Sequence, residues 1–290
     1  MHPSIRRLAN AVLGPVLRTV ARAGVAADSN GADPVARRLL GVVRRTLRGD
    51  FSAEEQAWFV RIEAMRTALS ASDEAITLVD YGAGGPNDTR SAEEMRRGTP
   101  FASTVGAVCR LASKPPFWAR LLFAILREYR PRRGVELGTC LAVSASYQGA
   151  AMLLNGDGGT LHTLEGADAL AARSRRNLDG LALANVTVVA GRFDQTLDGV
   201  LRGSAPLDYA FIDGHHDEQA TIDYFRQLLP FLAPGAVLVF DDISWSPGMK
   251  RAWQAISADE RVQVAVDLRA VGICVLGSGG VRSRYRYFLP

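Results

Sequence analysis

The sequence predicts an α/β fold, a doubly wound and mainly parallel sheet of seven strands preceded by a helical N-terminal region. Three observations lead there. From Pro116 onward, short apolar runs alternate with helical stretches at the spacing of right-handed β-α-β crossovers. Before about residue 75 only helical patterning occurs. Near the end, "VQVAVDL" and "VGICVLG" flank a short turn, the mark of an antiparallel hairpin at the sheet's edge. A chain of 290 residues, 48% hydrophobic and 22% charged, is an ordinary globule with a sizeable core. It divides into a helical region (1–75), an irregular cap or lid segment (76–115) and the α/β domain (116–290).

In order, the first region reads as helices broken at Gly14-Pro15, around "DSNGADP" and at Gly49-Asp50. The second contains one apolar run, "ITLVD", and then polar, glycine-containing sequence. In the third, the helix "FWARLLFAILREYR" stops at Pro131. There follow the strand "GVELG", the helix "AVSASYQGAAMLL", the strand "TLHTLE", the helix "ADALAARSRRNL" and the strand "VTVVAG". A helix around 195–203, the strand "LDYAFID", the helix "EQATIDYFRQLLPFL" and the strand "AVLVFDD" complete the alternation.

Composition excludes several classes. No apolar run is long enough to span a bilayer, and no secretory signal is evident. Cys109, Cys140 and Cys274 are odd in number and widely spaced, which suits buried thiols in a reducing, cytoplasmic compartment rather than disulfides or zinc. Residues 1–50 carry nine arginines against Asp28, Asp33 and Asp50, a formal +6. With the amphipathy of "SIRRLANAVLGPVLRTVARAGV", this reads as a helix packing on its own domain or joining a homo-oligomer. Peripheral membrane contact is the second reading. Nucleic-acid binding is not expected, because no aromatic residues interleave the basic ones.

Two glycine-containing turns compete as the cofactor loop. After "LVDYGAGG" comes no parallel strand ending in an acid. After "GVELG" a helix begins at once and the next strand ends at Glu165, placed to grip ribose hydroxyls. Neither loop contains GxGxxG, which disfavours a nicotinamide dehydrogenase. "DYGAGG" is then a tight turn, with a lid over the catalytic mouth as its candidate role.

With "VELGTCLAVS", "HTLE", "VVAGRFDQTL", "LDYAFIDGHH" and "LAPGAVLVFDD" in order, the chain resembles the class I S-adenosylmethionine-dependent methyltransferases over about residues 116–280. The loop keeps Gly138, but Cys140 and Ala142 stand where later glycines are common. The metal-dependent O-methyltransferases of catechol and macrolide-sugar type tolerate this, and the chain is most similar to that branch.

The resemblance implies that Glu136, Gly138, Thr139 and Ser144 surround the methionine end of the cofactor, where a helix N-terminus favours a carboxylate. It further implies that Glu165 and Gly166 meet the ribose, and Gly191, Arg192 and Phe193 the adenine, with Asp213 beside them. Asp213 ends one strand and Asp241 and Asp242 the next, so parallel neighbours bring three carboxylates to one edge. Such an oxygen-rich cluster suits Mg²⁺ or another divalent cation, which the similar enzymes hold there to bind an acceptor hydroxyl. The rival reading has no metal at the three aspartates. His216 is the first candidate for the base; the alternatives are a purely structural pair and, after it, His215 as the base or a substrate contact. Trp245, Trp253 and Met249 belong either to the substrate wall or to the core. The expected activity is O-methylation of a small hydroxylated molecule, with a metal-free methyltransferase and a non-catalytic cofactor binder as alternatives.

Overall fold

The computed structural model describes residues 3–82, 89–277, 279 and 281–289, with side chains from Leu17 onward except at residue 92. The N-terminal helices are α1 (Pro3–Gly31), α2 (Pro34–Arg48) and α3 (Ala53–Ser70). There follow β1 (Ala75–Asp80), α4 (Ala92–Arg97), β2 (Thr99–Thr104) and α5 (Val105–Ala112). The α/β part runs α6 (Pro116–Tyr129), β3 (Arg133–Leu137), α7 (Val143–Asn155), β4 (Thr160–Glu165), α8 (Asp168–Gly180) and β5 (Val186–Ala190). It continues through α9 (Phe193–Ser204), β6 (Leu207–Ile212), α10 (Glu218–Leu228), β7 (Leu232–Phe240), α11 (Pro247–Ala258), β8 (Val262–Asp267), β9 (Gly272–Leu276) and β10 (Ser283–Arg286).

Local sequence explains the helix boundaries. Ser52 and Glu55 form a reciprocal capping box that starts α3, and Asp33 accepts the Val35 and Ala36 N–H groups at the start of α2. Gly49 ends α2 at φ 73°. The expected break at Gly14-Pro15 does not occur, since α1 is helical throughout; one Gly-Pro step weakens a helix without having to cut it.

The main sheet has eight described strands, in the order β10-β8-β9-β7-β6-β3-β4-β5, one more than expected. The addition is β10, parallel to β8, whose four-residue run of mixed polarity gives little strand signal in the sequence. β9 runs antiparallel to both β7 and β8, so the hairpin closes that side as expected. Alternating side chains serve two cores. Tyr209 and Phe211 of β6 join the layer with α1, α2, α3, α6 and α7, whereas Ala210 and Ile212 face α9, α10 and α11.

The segment read as irregular contains an antiparallel pair. β1 and β2 register from Ala75 opposite Thr104 to Asp80 opposite Thr99. Pro100 hides β2 from a sequence reading, yet a proline is tolerated on a two-stranded edge. On the described part of α1, Ala21 and Val25 are buried, Arg22 Nε donates to the Leu47 carbonyl at 3.0 Å, and Tyr287 is bonded to Asp28. This stretch therefore packs on its own chain.

Candidate active site

One register row builds the site. Leu137 of β3 lies beside Leu164 of β4 and Ile212 of β6, and Ile212 lies beside Phe240 of β7. The residues that follow, Gly138, Glu165, Asp213 and Asp241, emerge side by side at the carboxyl ends of parallel strands, where open α/β sheets bind ligands. A cavity of about 980 Å³ opens above them, lined among others by Gly138, Thr139, Ser144, Glu165, Gly166, Arg192, Phe193, Asp213, His215, His216, Asp241, Asp242 and Trp245.

The β3–α7 loop bends sharply without a glycine series. Gly138 has φ 103°, and a Cβ there would lie 2.0 Å from the Asp213 carbonyl oxygen, so only glycine fits. Cys140 (φ 49°) and Ala142 (φ 61°) hold left-handed conformations that glycine would adopt more easily. Glu165 ties this loop to its own: its carboxylate accepts the Cys140 N–H at 2.7 Å and the Ala167 N–H at 2.9 Å. Burial pushes the Glu165 pKa up to about 7 even against those bonds.

Glu136 differs from expectation. Its carboxylate is fully buried and accepts hydrogen bonds from Ser144 Oγ at 2.6 Å, Gln148 Nε2 at 2.7 Å and Thr163 Oγ1 at 2.6 Å. Burial lifts its pKa to about 7, which those bonds oppose. Glu136 thus knits β3, β4 and α7 together beneath the cavity floor, and the Ser144 hydroxyl hydrogen is spent on it. Thr139 extends the network through Thr163 at 2.6 Å. Gly191 (φ 129°) bonds back to the Glu165 carbonyl at 2.8 Å. Arg192 is held by Asp194, at 3.0 and 2.6 Å, and Phe193 packs edge-on against Tyr224, 5.7 Å between centroids.

The carboxylates of β6 and β7 meet a cation from elsewhere. Lys114 stands between α5 and α6, before Pro115 and Pro116, which favour an extended approach to the helix. Its side chain is only 9% exposed; Nζ lies 3.2 Å from Asp213 Oδ2 and also bonds Asp241 Oδ2. Burial opposes the charge on Lys114, but Asp213 and Asp241 outweigh it and raise its pKa, so it is ammonium. Burial and the Asp241 charge raise Asp213 well above the carboxylate range; Asp241, although buried, is drawn below it by Lys114. Asp242 (φ 53°) lines the cavity, and its carbonyl accepts the Trp245 N–H at 2.9 Å.

The three aspartates expected to bind a metal do not fit one in this arrangement. Asp213 and Asp241 converge, but on an ammonium group, and among the described residues no group of three or more His, Cys, Asp or Glu is arranged to hold a metal ion. Their charge is already compensated, which removes the repulsion that pointed to a divalent cation. Lys114 escaped the sequence reading because it lies in the least patterned segment. One signal was available: of 34 Lys and Arg residues, only Lys114 and Lys250 are lysines.

The histidines separate. His215 Nδ1 is 2.8 Å from Tyr224 Oη, and burial lowers its pKa. His216 Nε2 is 3.9 Å from Asp213 Oδ1, and its ring lies 5.5 Å from that of Trp245. Both have positive φ, 70° and 49°. Trp253 and Met249 belong to the core, whereas Trp245 lines the cavity. From the other side, Gly82 closes on the His215 backbone, and a Cβ at Gly166 would lie 2.9 Å from the Tyr81 ring. Thus the end of β1 covers the site. The rest of the expected glycine lid, including Gly84 and Gly85, lies outside the described residues.

Residues 135–243 match the family model described as a methyltransferase domain. No curated protein matches the sequence. Three solved structures share the fold. The O-methyltransferase from Bacillus cereus in complex with SAH is 22% identical, with a TM-score of 0.50 over 58% of this chain and 84% of that one. The SAH-bound Podospora anserina methyltransferase PaMTH1 is 15% identical, with a TM-score of 0.50 over 58% and 81%. Cofactor-bound Rv0187 from MTB is 18% identical, with a TM-score of 0.50 over 77% and 91%. The family match spans the strands and loops that build the cavity, so residues 135–243 carry a methyltransferase domain.

Proposed function

We propose that the protein methylates a hydroxyl oxygen of a small molecule such as a phenol or sugar. The observation that carries this reading is the single cavity in which Gly138, Glu165, Asp213 and His216 face a common space. S-adenosylmethionine, when bound, supplies an electrophilic methyl group on a sulfonium. In this reading Glu165 accepts the ribose hydroxyls, Gly191, Arg192 and Phe193 border the adenine, and Gly138, Thr139 and the start of α7 receive the methionine end. His216 takes the acceptor proton as the oxygen attacks, Asp213 orients it, and Trp245 forms one wall. His215, engaged by Tyr224, supports the loop. Mg²⁺, expected from the sequence, has no step in this scheme because Lys114 already neutralises the aspartates.

The acceptor wall comes from residues 75–112, where Phe101 and Leu111 line the cavity while remaining 45% and 86% exposed. Their apolar surface favours an aromatic or otherwise amphipathic acceptor. No helix among the described residues is long and apolar enough to cross a membrane. A cytoplasmic protein associating through its N-terminal helices completes the proposal. Thermal unfolding with S-adenosylhomocysteine tests the cofactor half, and release of that product across a panel of phenols and sugars tests the acceptor half. A melting temperature unmoved by S-adenosylhomocysteine would overturn the cofactor assignment.

A further inference from the structure

We infer that Lys114 is the resident cation of the reaction centre, taking the electrostatic place of a divalent metal and presenting an N–H to the acceptor oxygen. The inference rests on the methyltransferase reading above. Its basis is geometric. An ammonium has three donors in a tetrahedral array. Lys114 donates a hydrogen bond to Asp241 and forms an ion pair with Asp213 at 3.2 Å; the two carboxylates follow the neighbouring strands β6 and β7, and Lys114 lines the cavity. Buried charges persist only when paired, and this pairing is contributed by a segment outside the parallel sheet.

The choice of residue is informative as well. Nearly every basic position in this chain is arginine, with Lys114 and Lys250 the exceptions. A guanidinium is a broad planar fork, whereas an ammonium is a compact point charge able to sit between two carboxylates.

The step balances without a metal. The acceptor O–H proton passes to His216, the new O–C bond forms as the C–S bond of the sulfonium breaks, and its electron pair stays on sulfur. Lys114 keeps its protons and stabilises the negative charge growing on the acceptor oxygen, as a preorganised donor does in a water-poor site. It is therefore assigned as a catalytic residue.

The experiment is an electron paramagnetic resonance titration of Mn²⁺ into the full-length protein and into Lys114→Met, each with S-adenosylhomocysteine. The wild type is expected to leave the free Mn²⁺ signal unchanged, while Lys114→Met, with its aspartates released, binds one equivalent. One equivalent bound by the wild type overturns the inference, and so does the absence of binding by a folded Lys114→Met. If Lys114→Met folds only when Mn²⁺ is supplied, the inference is supported. If it folds under neither condition, the wild-type titration decides. Stabilisation by S-adenosylhomocysteine is followed in parallel; its absence from the wild type counts against the underlying methyltransferase reading and not against Lys114.

Discussion

The two acidic stations on the sheet's carboxyl edge solve the same problem differently. At β4, Glu165 is satisfied by the N–H groups of Cys140 and Ala167, within its own and the neighbouring loop. At β6 and β7, Asp213 and Asp241 rely on Lys114, roughly a hundred residues earlier in the chain. The first station is made of local backbone and its carboxylate hovers near neutrality; the second is made of a long-range charge contact that keeps Asp241 ionised. The difference teaches that one edge can hold a carboxylate on backbone donors alone and also house a buried cation, because each charge is compensated separately.

The largest expected effect tests the reacting side. His216→Ala should lower turnover by about 10²–10⁴-fold, the usual worth of a positioned base. S-adenosylhomocysteine affinity should stay within twofold or so. Equal losses in both would shift His216 to a cofactor contact.

Stability distinguishes the stations next. Asp241→Ala leaves the buried Lys114 short of a partner and should cost about 3–5 kcal/mol in denaturant unfolding. Glu165→Ala abandons only backbone donors beside an open cavity and should cost about 1–2 kcal/mol. Similar costs would erase the contrast. Glu165→Ala should instead weaken S-adenosylhomocysteine about 10–100-fold by calorimetry, the loss of one or two charge-assisted hydrogen bonds.

The smallest effect concerns Glu136. Its folded pKa, about 7, is raised above the ordinary 4.5 of a glutamate, so its favourable contribution is present at low pH and is lost as pH rises from about 4.5 through 7. Glu136→Gln should flatten the fall in melting temperature across that window by a few degrees. An unchanged slope would mean that Glu136 stays ionised throughout.

These contrasts track what the sequence could disclose. β3, β4, β6 and β7 announce themselves by apolar runs ending in an acid or glycine, and Gly138, Glu165, Asp213 and Asp241 follow from strand order alone. Their surroundings do not. Glu136 carries the same motif position whether it faces a ligand or three buried hydroxyl and amide donors, and only packing of α7 decides. Lys114 comes from a loop whose place depends on α5 and α6 docking. β2 is disguised by Pro100, and β10, which makes the main sheet eight-stranded, by its mixed polarity. What a strand end offers is local; what meets it is tertiary.

The left-handed turns at Cys140 and Ala142 carry a lesson for how such loops persist. An alanine at φ 61° costs roughly 1–2 kcal/mol relative to a relaxed backbone, and glycine would relieve most of it. The loop keeps its curvature because the Glu165 carboxylate and the packed start of α7 clamp it from both sides. The curvature of this loop is therefore carried by the contacts that hold its main chain, so that a turn of this shape needs no series of glycines.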